Sequence, residues 1–131
     1  EHWQAGHAGM SSATLRRDGF ACWEAGAEGG TITTRLMQLT WATFPALNVD
    51  ATNGEVRVEI LKDNGEPLEG CSAAECAPIT GDHIRRVVQW PGQRGSFVRY
   101  TGKVRFRFHL KNAKLFAAKL PRVEETSNDI N

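Results

Sequence analysis

Hydrophobic positions in this chain recur mostly at every second residue, the period at which strand side chains point alternately to opposite faces. The clearest run is Lys103 to Leu110, where Val104, Phe106, Phe108 and Leu110 face one way and Lys103, Arg105, Arg107 and His109 the other. Glu55 to Leu61 repeats the pattern, with Val56, Val58 and Ile60 set against Glu55, Arg57 and Glu59. His83 to Trp90 is a further run, with Ile84, Val88 and Trp90 on one side and His83, Arg85 and Gln89 on the other. Arg86 falls on its apolar side, a flaw that an edge position or a β-bulge resolves.

Shorter segments between these runs read as strands from their composition and their turn residues. Ser11 to Phe20 ends at an Asp18-Gly19 turn, Ala21 to Ala25 continues beyond it, and Gly26-Ala27-Glu28-Gly29-Gly30 closes the unit. Thr31 to Leu39 is rich in β-branched residues, with Ile32, Leu36 and Met37 as core contributors. Ala46 to Ala51 is a short strand, followed by a tight turn at Asn53-Gly54. Asn112 is read as a turn residue and Lys111-Asn112-Ala113 as the connection of a hairpin over 103–120, because the alternating run buries its apolar face only if another strand pairs beside it. A helix is the alternative for Ala113 to Leu120, whose AKLFAAKL has helical propensity. Glu66 to Asp82, with Pro67, Gly70, Pro78 and Gly81, is a long irregular connection and the expected functional or crossover loop. About eight short strands with no convincing amphipathic helix predict an all-β fold, an antiparallel β-sandwich of jelly-roll-like kind.

At 131 residues the chain can bury a core of its own as one domain. Glu1 to Gly9 is an aperiodic Gly/Ala-rich segment carrying His2, Trp3 and His7, and 121–131 is a polar tail. A start at Glu1 without Met or a signal-like segment suggests a mature product or an excised piece. A net charge of +1 lacks the basic excess of nucleic-acid-binding domains, and no apolar run is long enough to span a bilayer.

Of the three cysteines, Cys71 and Cys76 lie in the irregular segment at a spacing that allows a disulfide, and Cys22 reads as a buried thiol. No fourth ligand or C-x-x-C spacing supports zinc. No cofactor is expected, and although a structural calcium ion suits many sandwich domains, no carboxylate cluster specifies one.

Catalytic motifs are missing from the sequence: there is no Gly-Xaa-Ser-Xaa-Gly elbow, phosphate loop or HExxH helix. Carboxylates at Asp18, Glu24, Glu28, Asp50, Glu55, Glu59, Asp63 and Asp82 read as turn and solvated strand positions, since acid/base pairs have no sequence spacing of their own. The wet side of the alternating runs says more. Arg57, Glu59, His83, Arg85, Gln89, Arg105, Arg107 and His109 form one charged surface if their strands are neighbours. Planar guanidinium groups mixed with a carboxylate suit hydroxyl-rich or anionic ligands. The plainer reading is of cross-strand Arg–Glu pairs that solubilise the face or dock it on a neighbouring domain. Trp41, beside Phe44 and Pro45, is the candidate exposed ring for stacking on a sugar, whereas Trp90 ends an apolar face and reads as core.

Four ordered blocks carry a resemblance: Ala13 to Phe20 (ATLRRDGF), Glu28 to Arg35 (EGGTITTR), Pro78 to Asp82 (PITGD) and Val104 to Ala113 (VRFRFHLKNA). Together they resemble the C-terminal β-sandwich domain of a family of bacterial secreted proteins, in which the domain follows a five-bladed propeller similar to that of invertase- and sialidase-like glycoside hydrolases. The likeness covers about Ala13 to Leu120, which sets the domain at 13–120 and implies that 1–12 is the remnant of a preceding domain; Cys22, Cys71 and Cys76 are not features of the family pattern. It implies a secreted, non-catalytic accessory module whose partner is a carbohydrate or a neighbouring domain, with any catalytic carboxylates on the propeller. The alternatives are a protein-interaction module using the Arg-rich face and, third, a stand-alone glycan-active enzyme.

Overall fold

A computed structural model of the chain describes residues 3–5, 22–39, 44–93, 100 and 102–121. The described residues form an all-β fold of seven strands in one antiparallel sheet. The strands are β1 (Trp3–Ala5), β2 (Trp23–Ala25), β3 (Gly30–Thr34), β4 (Ala46–Lys62), β5 (Ile79–Val87), β6 (Val104–Lys111) and β7 (Ala113–Lys119). Their order is β1-β3-β6-β4-β7-β2, with β5 also on β4. The predicted strand over Ser11–Phe20, the domain boundary at residues 12 and 13, and the polar tail lie outside the described residues.

β4 is the axis of the fold. Its second half pairs with β6 from Glu55↔Lys111 to Lys62↔Val104, and its first half pairs with β7 from Ala46↔Lys119 to Asp50↔Lys114. The expected hairpin over 103–120 is therefore corrected: β6 and β7 both run along β4, as one bent ribbon broken at Asn112. A two-residue turn folds a strand back on its neighbour, but here a lone residue, Asn112, takes a left-handed φ of 48° and the chain keeps its direction. The tight turn expected at Asn53-Gly54 is corrected in the same way, because Ala46–Lys62 is a single strand of 17 residues.

The two bends lie opposite each other, and each resets the alternation. Along β4 the alternating core positions are Leu47, Val49 and Ala51, then Val56, Val58 and Ile60, with Ala46, Glu59 and Leu61 buried beside them; along the facing ribbon they are Val104, Phe106, Phe108 and Leu110, then Ala113 and Leu115. Odd numbers give way to even in one strand and even to odd in the other. The slip keeps the apolar side inward on both sides of the corner, so the two halves of the sheet close as layers over a single core.

Gly54 makes the corner close enough to form. A Cβ there would run into the Lys111 carbonyl oxygen and would come within 2.7 Å of the Asn112 Cβ. The Asn112 backbone N–H donates to the Gly26 carbonyl (3.0 Å), which also accepts from Gly29 N–H (3.0 Å), so the turn before β3 is tied to the bend.

β5 starts four residues before the strand expected at His83 and ends at Val87. Its pairing steps from Leu47↔Arg86 to Val49↔His83, leaving Ile84 and Arg85 opposite Asn48 alone. This is a β-bulge, the feature that the misplaced Arg86 called for. It also turns Ile84 outward, where it is 84% exposed, so Ile84 does not join Val88 and Trp90 in the core. Ile84→Thr should change stability by less than about 0.5 kcal/mol in urea titration; a cost of the size seen for core deletions would return Ile84 to the interior. Leu36, expected inside, is 36% exposed, because β3 ends at Thr34 and the chain touches β6 next only through the Met37↔Val104 bridge.

Cys71 and Cys76 are buried thiols, not the expected disulfide. Cys76 Sγ accepts from Val58 N–H (3.4 Å) and donates to the Ala77 carbonyl (3.3 Å). Burial pushes the Cys71 thiol up to about 12 and raises Cys76 as well. Neither supplies the thiolate that starts disulfide exchange at neutral pH.

Candidate functional site

The outer face of the β3–β6–β4 layer is where the wet positions of the alternating runs converge. Register sets Thr31 beside His109 and Thr33 beside Arg107 across β3 and β6. Across β6 and β4 it sets Arg107 beside Glu59, His109 beside Arg57, and Arg105 beside Leu61. Directly opposed residues on one face are within side-chain reach, so alternation and register together place Arg57, Glu59, Arg105, Arg107 and His109 in one group.

Glu59 is the centre of that group and is only 8% exposed. His109 Nε2–H donates to its Oε2 at 2.7 Å, and an Arg107 guanidinium nitrogen lies 4.0 Å from the same oxygen. The His109 hydrogen bond, helped by the charges of His109 and Arg107 and by the Ala73 amide, holds the Glu59 carboxyl below its ordinary value against the opposing effect of burial.

The cations are held as well. Arg107 Nε donates to Thr33 Oγ1 (3.0 Å), and an Arg105 guanidinium nitrogen donates to the Thr34 carbonyl (3.1 Å). Thr34 is buried at the end of β3, where its hydroxyl donates to the Arg35 carbonyl (3.0 Å) and accepts from Phe106 N–H (2.9 Å). Arg57 Nε pairs with Glu55 Oε2 (3.0 Å), and its fork reaches the Ala73 carbonyl (3.4 Å).

Ala73 belongs to a short turn that borders this face. Ser72 and Glu75 close it reciprocally: Ser72 N–H and Oγ–H both donate to Glu75 Oε1 (3.2 and 2.8 Å), and Glu75 N–H donates to Ser72 Oγ (3.2 Å). This is a capping box. Both hydrogen bonds from Ser72 hold the Glu75 carboxyl below its ordinary value. The S-x-x-E spacing at Ser72 to Glu75 was the available sequence signal for this turn.

Other expected site residues are elsewhere. His83, Arg85 and Gln89 are on or just after β5, which pairs along the first half of β4 and so belongs to the other layer. They do not join the Glu59 group. His83 Nε2–H instead donates to the Thr80 carbonyl (2.7 Å), over Gly81. Trp41 lies outside the described residues, while Trp90 is core, 1% exposed, with its indole N–H donating to the Val58 carbonyl (3.0 Å). Among the described residues no three His, Cys, Asp or Glu side chains converge as metal ligands.

A depressed carboxyl pKa stabilises the fold above its unfolded value, and that contribution is lost as pH falls through the folded one. Wild-type stability should therefore fall with pH below the ordinary Glu range of about 4.3. Glu59→Gln should be less stable than wild type at pH 7, and the gap should narrow towards pH 3. Urea midpoints of both proteins at a series of pH values measure this; a gap constant with pH would mean that ionised Glu59 contributes nothing.

Compared with protein-family models, curated proteins and solved structures, the chain finds no match in any of the three.

Proposed function

We propose that this chain is a non-catalytic accessory module of a carbohydrate-active protein, and that it binds anionic groups through the outer face of β3, β6 and β4. One observation carries the reading: Arg57, Arg105, Arg107 and His109 stand together on a rigid sheet face, each held by a bond to the protein. Cations held in place lose little freedom on binding, and guanidinium forks match carboxylate and sulfate groups. The four-block resemblance points the same way and, with it, to a secreted parent protein.

A second reading has its own support. Among the described residues the outward positions of this face carry Thr, Arg, Glu, Lys, Leu and His, with no Trp, Tyr or Phe. A sugar-stacking platform wants such a ring. A flat face of charges without one also fits an acidic protein surface, such as a neighbouring domain that the module braces.

A glycan array bearing neutral, uronic-acid and sulfated glycans, run on wild type and on Arg105→Ala, tests the proposal. Binding restricted to acidic glycans, and reduced at least about tenfold in the variant, supports it. No binding by folded wild-type protein rejects the glycan reading in favour of the docking one. Binding of neutral glycans that ignores Arg105→Ala removes the face from consideration.

A further inference from the structure

The corner where β2, β4 and β7 meet holds a cavity of about 200 Å³, lined by Glu24, Asp50, Asn53, Asn112 and Lys114 among others. It is built on the other half of the sheet from Glu59, beside the bends at Gly54 and Asn112. Register places Lys114 opposite Glu24 on β2 and opposite Asp50 on β4. A lysine flanked on both sides by carboxylates ordinarily closes an ion pair with one of them. Lys114 closes neither, since no ion pair among the described residues involves it.

The remaining polar groups are also available. Asp50 Oδ1 is taken up by Thr52, accepting from its hydroxyl (2.7 Å) and its N–H (3.1 Å), while Oδ2 has no hydrogen-bond partner among the described residues. These two hydrogen bonds hold the Asp50 carboxyl below its ordinary value, so it is anionic at neutral pH. The bond from Asn112 to Gly26 uses the backbone N–H, and among the described residues neither the Asn112 nor the Asn53 side-chain amide has a hydrogen-bond partner. Acceptors, donors and both signs of charge thus surround one space; Lys114 acts on Asp50 through its charge but without closing an ion pair.

We propose that this corner is a second binding site, for a single polyhydroxylated ring carrying one amino group, the chemistry of an amino sugar. Hydroxyl groups donate to carboxylates and accept from ammonium and amide N–H, so a ring carrying several of them satisfies every group present. Two carboxylates against one ammonium leave the site with one net negative charge, which an amino group on the ligand balances. Sites for drug-sized molecules span roughly 300–1,000 Å³; this smaller cavity takes one ring and excludes an oligomer from its interior. The proposal does not depend on the Arg-rich face, which lies on the other layer.

Titration of the full 15N-labelled chain with D-glucosamine, followed by amide chemical shifts, tests it. Saturable shifts clustered at Glu24, Asn53, Asn112 and Lys114 are expected. D-glucose should bind at least several-fold more weakly, and Asp50→Asn, which keeps an oxygen for Thr52, should weaken glucosamine about tenfold. Glu24→Gln gives the same test from the opposite wall should Asp50→Asn lose its dispersed spectrum. No saturable shift at these amides overturns the site, and equal binding of glucose overturns the role of the amino group. Shifts confined to Arg57, Arg105 and His109 overturn the corner site in favour of the basic face.

Discussion

Phe106→Ala is expected to destabilise the protein by ~3–5 kcal/mol, the range for removing a large aromatic from a packed interior. Phe106 is 0% exposed and lies on β6 between Val104 and Phe108, opposite Ile60 on β4. β6 joins β3 on one side and β4 on the other, so a cavity here loosens the layer on both sides. Its neighbours cannot collapse into the space without breaking ladder bonds in those strands, which places the loss toward the upper end of the range. Urea unfolding of the two proteins measures it; a loss below about 1 kcal/mol would mean that the faces of β6 are inverted.

Gly54→Val should be at least comparably damaging, by a different route. A core deletion removes contacts, whereas here the added Cβ meets backbone, the Lys111 carbonyl oxygen, which cannot rotate away. Overpacking commonly costs ~1–3 kcal/mol and more where backbone must move. We expect Gly54→Ala at or above the top of that range and Gly54→Val beyond it. Amide exchange should show the pairings around Glu55↔Lys111 and Asp50↔Lys114 opening first. Unchanged protection at those amides in a folded Gly54→Ala variant would show that the corner tolerates a side chain.

The strands with unbroken alternation were legible in the sequence, and so was the grouping of Arg57, Glu59, Arg105, Arg107 and His109, because their strands are neighbours. What misled was the break in alternation. Asn53-Gly54 and Asn112 are residues that favour turns, and a phase slip looks the same whether the chain reverses or only bends. Pairing decides between the two, and pairing is not local: Gly54 is a bend because Lys111 lies against it. The length of the connection gave no warning, since Lys111-Asn112-Ala113 is long enough for a hairpin loop, and only the pairing of Lys111 and Ala113 within strands reduces the break to Asn112. At β5 the misplaced Arg86 announced the bulge but not its position, so Ile84 was assigned to the wrong side. The corner site had no sequence signature, because Glu24, Asp50 and Lys114 come from three strands and none belongs to a motif.

β4 also sets the order of events during folding. Its partners on the β6–β7 ribbon lie at residues 104 to 119, so a growing chain exposes EVRVEILK, a run of alternating Val and Ile, long before its mate exists. Ladders of such separation form slowly, because loop closure precedes any gain from pairing. Until then the strand is an open edge able to pair with another copy of itself. Truncation before Val104 should give aggregates rather than a smaller soluble domain, and Glu55, Arg57 and Glu59, whatever they bind once folded, serve meanwhile as the charges that keep unfinished chains apart.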